Sequence, residues 1–129
     1  MPPQQSSAAV ATARAYIDAW ERHDIDAVRA ALSADVRMTM VAADPSFPRT
    51  ELNGVEAYIE GLLPSKDIVV PGSTEVVEAI GDDTQALLRV NSKVKFAPDA
   101  PVMEGRSARM YLLDEDGRIK IEHVLFFVS

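Results

Sequence analysis

The sequence predicts an α+β domain in which helices cover one face of a bent, mostly antiparallel sheet and enclose a pocket. Early in the chain, apolar residues recur at helical spacing, whereas from Ser73 onward they alternate with polar residues as in strands. The last part, Val102 to Ser129, has the pattern of two long strands joined by a tight turn at Asp116-Gly117. Helices followed by an antiparallel meander are typical of helices segregated onto one face of a sheet.

The first predicted helix follows a polar tail at residues 1–6 and runs to about Arg22. Ser6 or Ser7 suits its N-cap, because a serine hydroxyl accepts a hydrogen bond from the free N–H groups at a helix start. The apolar residues share one face of this helix: Val10, Ala13, Ile17 and Trp20. Tyr16 lies on the shoulder of that stripe, so we expect the helix to pack along this side.

Two shorter helices are predicted further along the chain. Asp24 caps one that ends at residues 33–35, and Asn53-Gly54 opens another over Val55 to Leu63. Pro64 stops this third helix, because proline lacks the N–H group that a helix interior needs.

A short strand is predicted at Val36 to Val41, where the side chains alternate and β-branched residues recur. The segment from Ala42 to Leu52 is expected to be a loop at the pocket edge, since Pro45 and Pro48 cannot donate to a strand ladder. Phe47 lies between these two prolines.

The later strands are predicted at Thr74 to Ile80, at Thr84 to Phe96 and within the final hairpin. From Val124 to Val128 both faces of the last strand become apolar. Such a strand needs protein or ligand against each side, so the sequence predicts a homodimer contact on the outer face of the sheet.

Composition narrows the classes of function. A length of 129 residues fits one domain spanning 1–129, with 47% hydrophobic and 26% charged residues. No apolar run approaches the roughly 20 residues of a membrane span, and the first residues lack a secretory leader, so we expect a cytoplasmic protein without a membrane partner. A net charge of −7 argues against nucleic acid. Without cysteine, a histidine cluster or a glycine-rich phosphate loop, neither a metal nor a cofactor is expected.

Several local strings resemble the SnoaL-like and ketosteroid-isomerase-like proteins of the nuclear-transport-factor-2 superfamily. The strings occur in family order and are AYIDAWERHDIDAV, LSADVRMTM, the Asn-Gly before the third helix, and YLLDEDGRIKIEH. The resemblance implies a cone-shaped fold with three N-terminal helices packed on a curved, mixed, mostly antiparallel β-sheet that encloses a pocket. It leaves the chemistry open, because the superfamily includes isomerases, polyketide cyclases, epoxide hydrolases, dehydratases and non-catalytic domains.

The resemblance to ketosteroid isomerases matches one of their three catalytic residues directly. The positions of the other two depend on the alignment. Those enzymes use a tyrosine of the first helix, an aspartate base and a protonated aspartate, and Tyr16 matches the tyrosine. An ungapped alignment puts Met40 and Arg109 where the two acids belong. A gapped alignment instead restores Asp44 as the base.

Limonene-type epoxide hydrolases, which use an Asp-Arg-Asp set, match less well. Arg89-Val90-Asn91 is similar to their Arg-x-Asp, but Asn91 replaces the acid. Their last-strand aspartate falls on Val124, and their tyrosine and asparagine fall on Met38 and Met40. The hydrolase mechanism is therefore not expected.

On the isomerase alignment the pocket face carries mostly apolar side chains, which favours an apolar ligand. The expected ligand-binding residues are Met38, Met40, Phe47, Val90, Arg109, Tyr111, Val124 and Phe126, with Glu122 as a catalytic candidate beside them. Each of these residues also has a purely structural interpretation. The methionines could be ordinary core residues, Tyr16 could bury its ring without binding a ligand, and Asp44 could form a turn.

Arg109 and Glu122 lie on neighbouring strands of the final hairpin, near enough to form an ion pair. In a closed pocket this pair would orient a polar ligand group or leave Glu122 to move a proton. At a solvated rim it would add little stability.

Two hypotheses follow. The first is a cofactor-free enzyme that isomerises, cyclises or dehydrates a polyketide, terpenoid or steroid-like ring, with Tyr16 as oxyanion donor, Asp44 or Glu122 as base and Arg109 as anchor. The second is a non-catalytic ligand-binding or dimerisation module, motivated by the missing acids at Met40 and Val124. A carboxylate close to the Tyr16 hydroxyl or to the pocket centre would favour the enzyme.

Overall fold

The structure is a computed structural model that describes residues 7–129, so the tail predicted at residues 1–6 lies outside the described part. It contains three α-helices and a 3-10 helix: α1 (Ala8–Glu21), α2 (Ile25–Ala31), α3 (Val55–Leu62) and the 3-10 helix Leu63–Asp67. None of the helices in the described part is long and apolar enough to cross a membrane.

The predicted helix caps are confirmed. The Ser7 hydroxyl accepts from the Val10 N–H at 3.2 Å, and an Asp24 carboxylate oxygen accepts from the Ala27 N–H at 3.1 Å. These bonds satisfy backbone donors that have no partner inside the helix, which is why α1 and α2 begin where the sequence predicts.

Six strands form one mixed sheet, in the spatial order β2-β1-β6-β5-β4-β3. Their bounds are β1 (Leu32–Ala42), β2 (Thr50–Asn53), β3 (Glu75–Gly81), β4 (Gln85–Val94), β5 (Met103–Leu113) and β6 (Ile119–Val128). β1 and β6 run parallel and the other neighbours are antiparallel. The sheet is not closed, since β2 and β3 form its two edges.

The expected α+β class is therefore confirmed, with three corrections. The helices are not all N-terminal, because α3 follows β1 and β2. Residues 33–35 do not end α2 but lie in β1, where the pairing register shifts between Leu32 and Arg37. The segment up to Leu52 was expected to be a loop, but soon after Pro48 the chain forms β2, which pairs with β1. A four-residue edge strand is too short to show alternation.

The core lies between the helices and one face of the sheet. α1 contributes a stripe that includes Val10, Ala13 and Ile17, while β4 contributes alternate side chains such as Leu88. The opposite face of the sheet leaves large apolar side chains exposed: Val41, Val77, Ile80, Leu87, Leu125 and Phe127. The helices thus cover one side of the sheet only.

Candidate functional site

A cavity of about 380 Å³ lies between the helices and the sheet, within the range of small-molecule pockets. Its wall is mainly apolar and includes Ile17, Met40, Leu62, Val94, Val124 and Phe126. The polar side chains that reach it from α1, β5 and β6 include Tyr16, Arg109 and Glu122. Such a space suits an apolar molecule that carries a few oxygen atoms.

A buried carboxylate ends a chain of hydrogen bonds in this site. Glu122 is 2% exposed, and its Oε1 accepts from the Tyr58 hydroxyl. The hydroxyls of Tyr16 and Tyr58 are also hydrogen-bonded to each other. A carboxylate can only accept and each phenol has one proton, so Tyr16 donates to Tyr58 and Tyr58 donates to Glu122.

The fold brings these three residues together from distant parts of the chain. Tyr58 lies one turn into α3, which starts at Gly54 with a φ of 90° that favours glycine. The Gly54 N–H donates to the Val36 oxygen at 2.7 Å and ties α3 to β1. β1 in turn pairs in parallel with β6, where Met38 lies opposite Glu122. The packing of α3 on β1 and the pairing of β1 with β6 therefore bring Tyr58 within hydrogen-bonding distance of Glu122.

All three tyrosines of the chain meet in this cluster and all are buried. Tyr16 makes edge-to-face contacts with Tyr58 and Tyr111 at centroid distances of 6.3 and 5.9 Å. Burial raises the pKa of each tyrosine well above its ordinary value, and the charge of Glu122 raises it further. The three phenols are therefore held in their protonated form.

Arg109 enters the cavity from β5 and is half-buried. Its Nε donates to Ser107 Oγ at 2.9 Å, which fixes the plane of the guanidinium. Burial opposes the charge, but Tyr111 and Glu122 nearby raise the pKa of Arg109 above its ordinary value. Arg109 thus supplies a fixed positive charge to an apolar space.

The ion pair that the sequence allows between Arg109 and Glu122 is not formed. In the hairpin register Tyr111 lies opposite Glu122 and Arg109 opposite Val124, which makes Arg109 and Glu122 diagonal neighbours. Diagonal positions are about 7–8 Å apart, a distance that long side chains can span, but the Arg109 Nε donates to Ser107 Oγ instead. The two charges share the cavity without a direct ion pair, although Glu122 is close enough to raise the pKa of Arg109.

The structure separates the predicted site residues into two groups. Those that line the cavity are Tyr16, Met40, Phe47, Arg109, Glu122, Val124 and Phe126. Met38, Val90 and Tyr111 instead lie in the buried core behind it. The alternation along β4 turns Val90 toward the helices and leaves Arg89 exposed, where it pairs with Glu78 on the outer face.

Asp44 is placed outside the cavity, which corrects the expectation of a desolvated base. Its carboxylate is exposed and accepts from the Ser46 N–H at 2.9 Å and the Ser46 hydroxyl at 2.8 Å. These bonds lower the pKa of Asp44 below its ordinary value. Asp44 therefore has the geometry of a turn former.

Two aromatic residues of the site were not predicted from the sequence. Tyr58 is one of them, although a tyrosine one turn after the start of a short apolar helix is a fair signal for burial. The sequence pattern places Trp20 only in the core stripe, yet it also lines the cavity, and its buried indole nitrogen makes no hydrogen bond of good geometry within residues 7–129. Within residues 7–129, no group of three or more His, Cys, Asp or Glu side chains is arranged to hold a metal ion.

The fold and the cavity define a helix-covered open sheet with an internal pocket, the architecture of nuclear-transport-factor-2-like proteins. The sequence profile of the SnoaL-like domain matches residues 13–122, and the chain belongs to that family. Comparison with the curated proteins gives no significant match.

Solved structures share the fold over nearly the whole chain. A Kribbella flavida protein is 26% identical, with a TM-score of 0.74 and coverage of 94% of this chain and 88% of that one. An LEH-like epoxide hydrolase from Mycobacterium tuberculosis is 19% identical, with a TM-score of 0.69 and coverages of 92% and 82%. Another M. tuberculosis protein, solved with estradiol-17beta-hemisuccinate, is 14% identical, with a TM-score of 0.75 and coverages of 92% and 93%.

Proposed function

We propose that this protein is a cofactor-free enzyme that uses acid-base chemistry on an apolar, oxygenated small molecule. The observation that carries the proposal is the position of Glu122, a buried carboxylate that lines an apolar cavity and is hydrogen-bonded through Tyr58 to Tyr16. A carboxylate in such a position can take a proton from a bound molecule, which a purely apolar pocket cannot do.

Glu122 is the proposed base and Arg109 the proposed electrostatic partner. Removal of a proton next to a substrate carbonyl breaks a C–H bond, moves the proton to Glu122 and leaves an enolate. The fixed guanidinium of Arg109 faces the same cavity and stabilises the negative charge that develops on the enolate oxygen. Isomerisation, cyclisation and dehydration of carbonyl compounds can all begin with this step.

The substrate class follows from the wall of the cavity. Apolar side chains dominate it, so a ring compound such as a polyketide, terpenoid or steroid is favoured over a sugar or a phosphate. The structural relative solved with a steroid ester supports this choice. The proposed cytoplasmic location remains a prediction.

Epoxide hydrolysis of the limonene type is not part of the proposal. Positions that align with polar groups of those enzymes hold Met40 and Val124, which line the cavity, and Met38 in the core. Asn91 cannot replace a carboxylate as a base or an acid. The likeness to the solved hydrolase therefore supports the fold alone.

A non-catalytic binding protein is the second candidate, favoured by the same apolar residues at Met40 and Val124. The two candidates differ in whether bound carbonyl compounds exchange hydrogen with water. A panel of cyclic ketones is incubated with the protein in deuterium oxide, and deuterium uptake beside the carbonyl is followed by mass spectrometry. Faster uptake than in protein-free buffer supports the enzyme, while binding without faster uptake of any bound ketone supports the binder.

We also propose that a second copy of the chain covers the outer face of the sheet. Ile80 and Leu87 are each 56% exposed and Leu125 is 45% exposed, and these side chains line one shallow groove. Exposed apolar area of this kind is characteristic of an interaction surface. Sedimentation as a monomer at micromolar concentration would remove this proposal.

A further inference from the structure

Two phenylalanines from separate loops meet at the exposed end of the cavity. Phe47 lies between β1 and β2, Phe96 follows β4, and both side chains line the cavity. Their ring centroids are 6.2 Å apart, with the ring planes at 30°. Phe47 is 46% exposed and Phe96 is 43% exposed. The two rings therefore form an apolar patch that borders both the cavity and the solvent.

The buried part of the cavity is polar by contrast. Glu122 is 2% exposed there, and Arg109 is half-buried. A cavity of about 380 Å³ suits a molecule larger than a single small ring. A ligand that fills this space with its oxygen atoms at the buried part therefore has its apolar remainder near the two phenylalanine rings.

Backbone hydrogen bonds hold the chain near both rings. The Ala43 N–H donates to the Phe126 oxygen at 2.8 Å, which ties the start of one loop to β6. The Lys95 N–H donates to the Ile68 oxygen at 2.8 Å, directly before Phe96. Because the backbone is held at these points, less conformational entropy is lost when a ligand covers the rings.

Asp44 belongs to the turn that carries Phe47. Its carboxylate accepts from the N–H and the hydroxyl of Ser46, and its backbone oxygen accepts from the Phe47 N–H at 3.1 Å. The Asp44 side chain is exposed and does not line the cavity. Its only route to a ligand in the cavity is therefore through the position of Phe47.

We propose that Phe47 and Phe96 bind the outer, apolar end of the ligand and so select extended ring systems over single rings, with Asp44 as a positioning residue for Phe47. The inference rests on the proposed function, in which the oxygen atoms of the ligand lie near Glu122 and Arg109. It narrows the ligand class to carbonyl compounds with several fused rings. Covering two exposed aromatic rings removes apolar surface from water, which adds to affinity.

Cyclohexanone, 2-decalone and a four-ring steroid ketone test this selection by length. Trp20 is the single tryptophan of the chain and lines the cavity, so its fluorescence reports binding. We expect the wild-type protein to bind the steroid ketone most tightly. Phe47→Ala or Phe96→Ala should weaken steroid binding about tenfold more than cyclohexanone binding, the scale of one lost aromatic contact. Val102→Ala is the control, because Val102 is 55% exposed in the loop that carries Phe96 but does not line the cavity.

Asp44→Ala and Asp44→Asn test the positioning role. Asp44→Ala removes the acceptor that holds the turn, so it should weaken steroid binding. Asp44→Asn keeps an oxygen acceptor and should bind the steroid like the wild-type protein. Neither variant should slow deuterium uptake into cyclohexanone, because Asp44 lies outside the cavity. Slower uptake, or wild-type steroid affinity of Asp44→Ala, would overturn the positioning role.

Equal effects of the phenylalanine variants on cyclohexanone and steroid binding would overturn the inference, as would an equal loss of steroid binding by Val102→Ala. Tighter binding of cyclohexanone than of the steroid ketone by the wild-type protein would overturn it as well. Each of these results leaves the proposed base chemistry of Glu122 intact. If the wild-type protein bound none of the three ketones, the proposed ligand class and the inference would both fail.

Discussion

The Tyr58 hydroxyl donates to the Glu122 carboxylate, so a residue of α3 holds the buried acid of β6. The two residues are 64 positions apart in the chain, and both are almost inaccessible to solvent. A buried charge needs partners, because its transfer out of water is costly. This bond therefore contributes to the stability of the fold as well as to the site.

Tyr58→Phe is expected to destabilise the protein by about 1–3 kcal/mol, because Glu122 loses a buried donor. Tyr111→Phe is the comparison variant, since Tyr111 is equally buried but its hydroxyl makes no hydrogen bond of good geometry within residues 7–129. Its removal is expected to change stability by about zero. Urea unfolding measures both, and equal losses for the two variants would contradict the bond assignment.

The tyrosines are expected to resist ionisation in alkali. Their pKa values in the folded chain lie well above the ordinary value of 10.0, mainly because of burial. The unfolded chain releases these protons near pH 10, so the associated stability is complete below about pH 10 and is lost as the pH rises further. Absorbance titration should show tyrosinate only together with loss of the far-ultraviolet circular dichroism signal. A tyrosine that ionises near pH 10 in the folded protein would contradict its burial.

A comparison of Val90→Ala with Val124→Ala should distinguish residues that stabilise the core from residues that contact the ligand. Val90 is 1% exposed in the core, so Val90→Ala is expected to cost about 2 kcal/mol through two lost methyl groups and the space they leave. Val124 is half-buried on the cavity wall, so Val124→Ala should cost less stability but alter affinity for bulky ligands. Chemical unfolding and ligand titration of both variants give the comparison. A larger loss of stability for Val124→Ala would refute this division.

The outer face of the sheet should control association. A charge placed in the shallow groove by Leu125→Asp is expected to turn a dimer into a monomer, since burying an unpaired carboxylate in an interface is costly. Sedimentation velocity measures the mass, with Glu115→Gln in the exposed turn as a control. A Leu125→Asp variant that still sediments as a dimer would place the contact elsewhere.

Local rules explain most of what the sequence predicted. The helix caps at Ser7 and Asp24 depend on neighbours a few residues away, and the final hairpin depends on a short turn. The same rules favoured a turn at Asp44 as the plainer interpretation, and the structure has that turn. Such features need no knowledge of the rest of the chain.

Features that depend on how distant parts of the chain pack together were harder to predict from the sequence. The partner of Glu122 depends on how α3 lies across β1, and no local pattern at Tyr58 reveals that. The hairpin brought Arg109 and Glu122 to the same cavity as predicted, but only as diagonal neighbours. Ion pairing requires a distance that strand pairing alone does not guarantee.

The role of Glu122 as a base is the central claim. Its most direct test compares deuterium uptake beside the carbonyl of a bound ketone for the wild-type protein, Glu122→Gln and the control Glu115→Gln. We expect Glu122→Gln to slow uptake by about 100-fold or more while the ketone still binds, because an amide cannot accept the substrate proton. Glu115→Gln should exchange at the wild-type rate. Equal rates for Glu122→Gln and the wild-type protein would contradict the account.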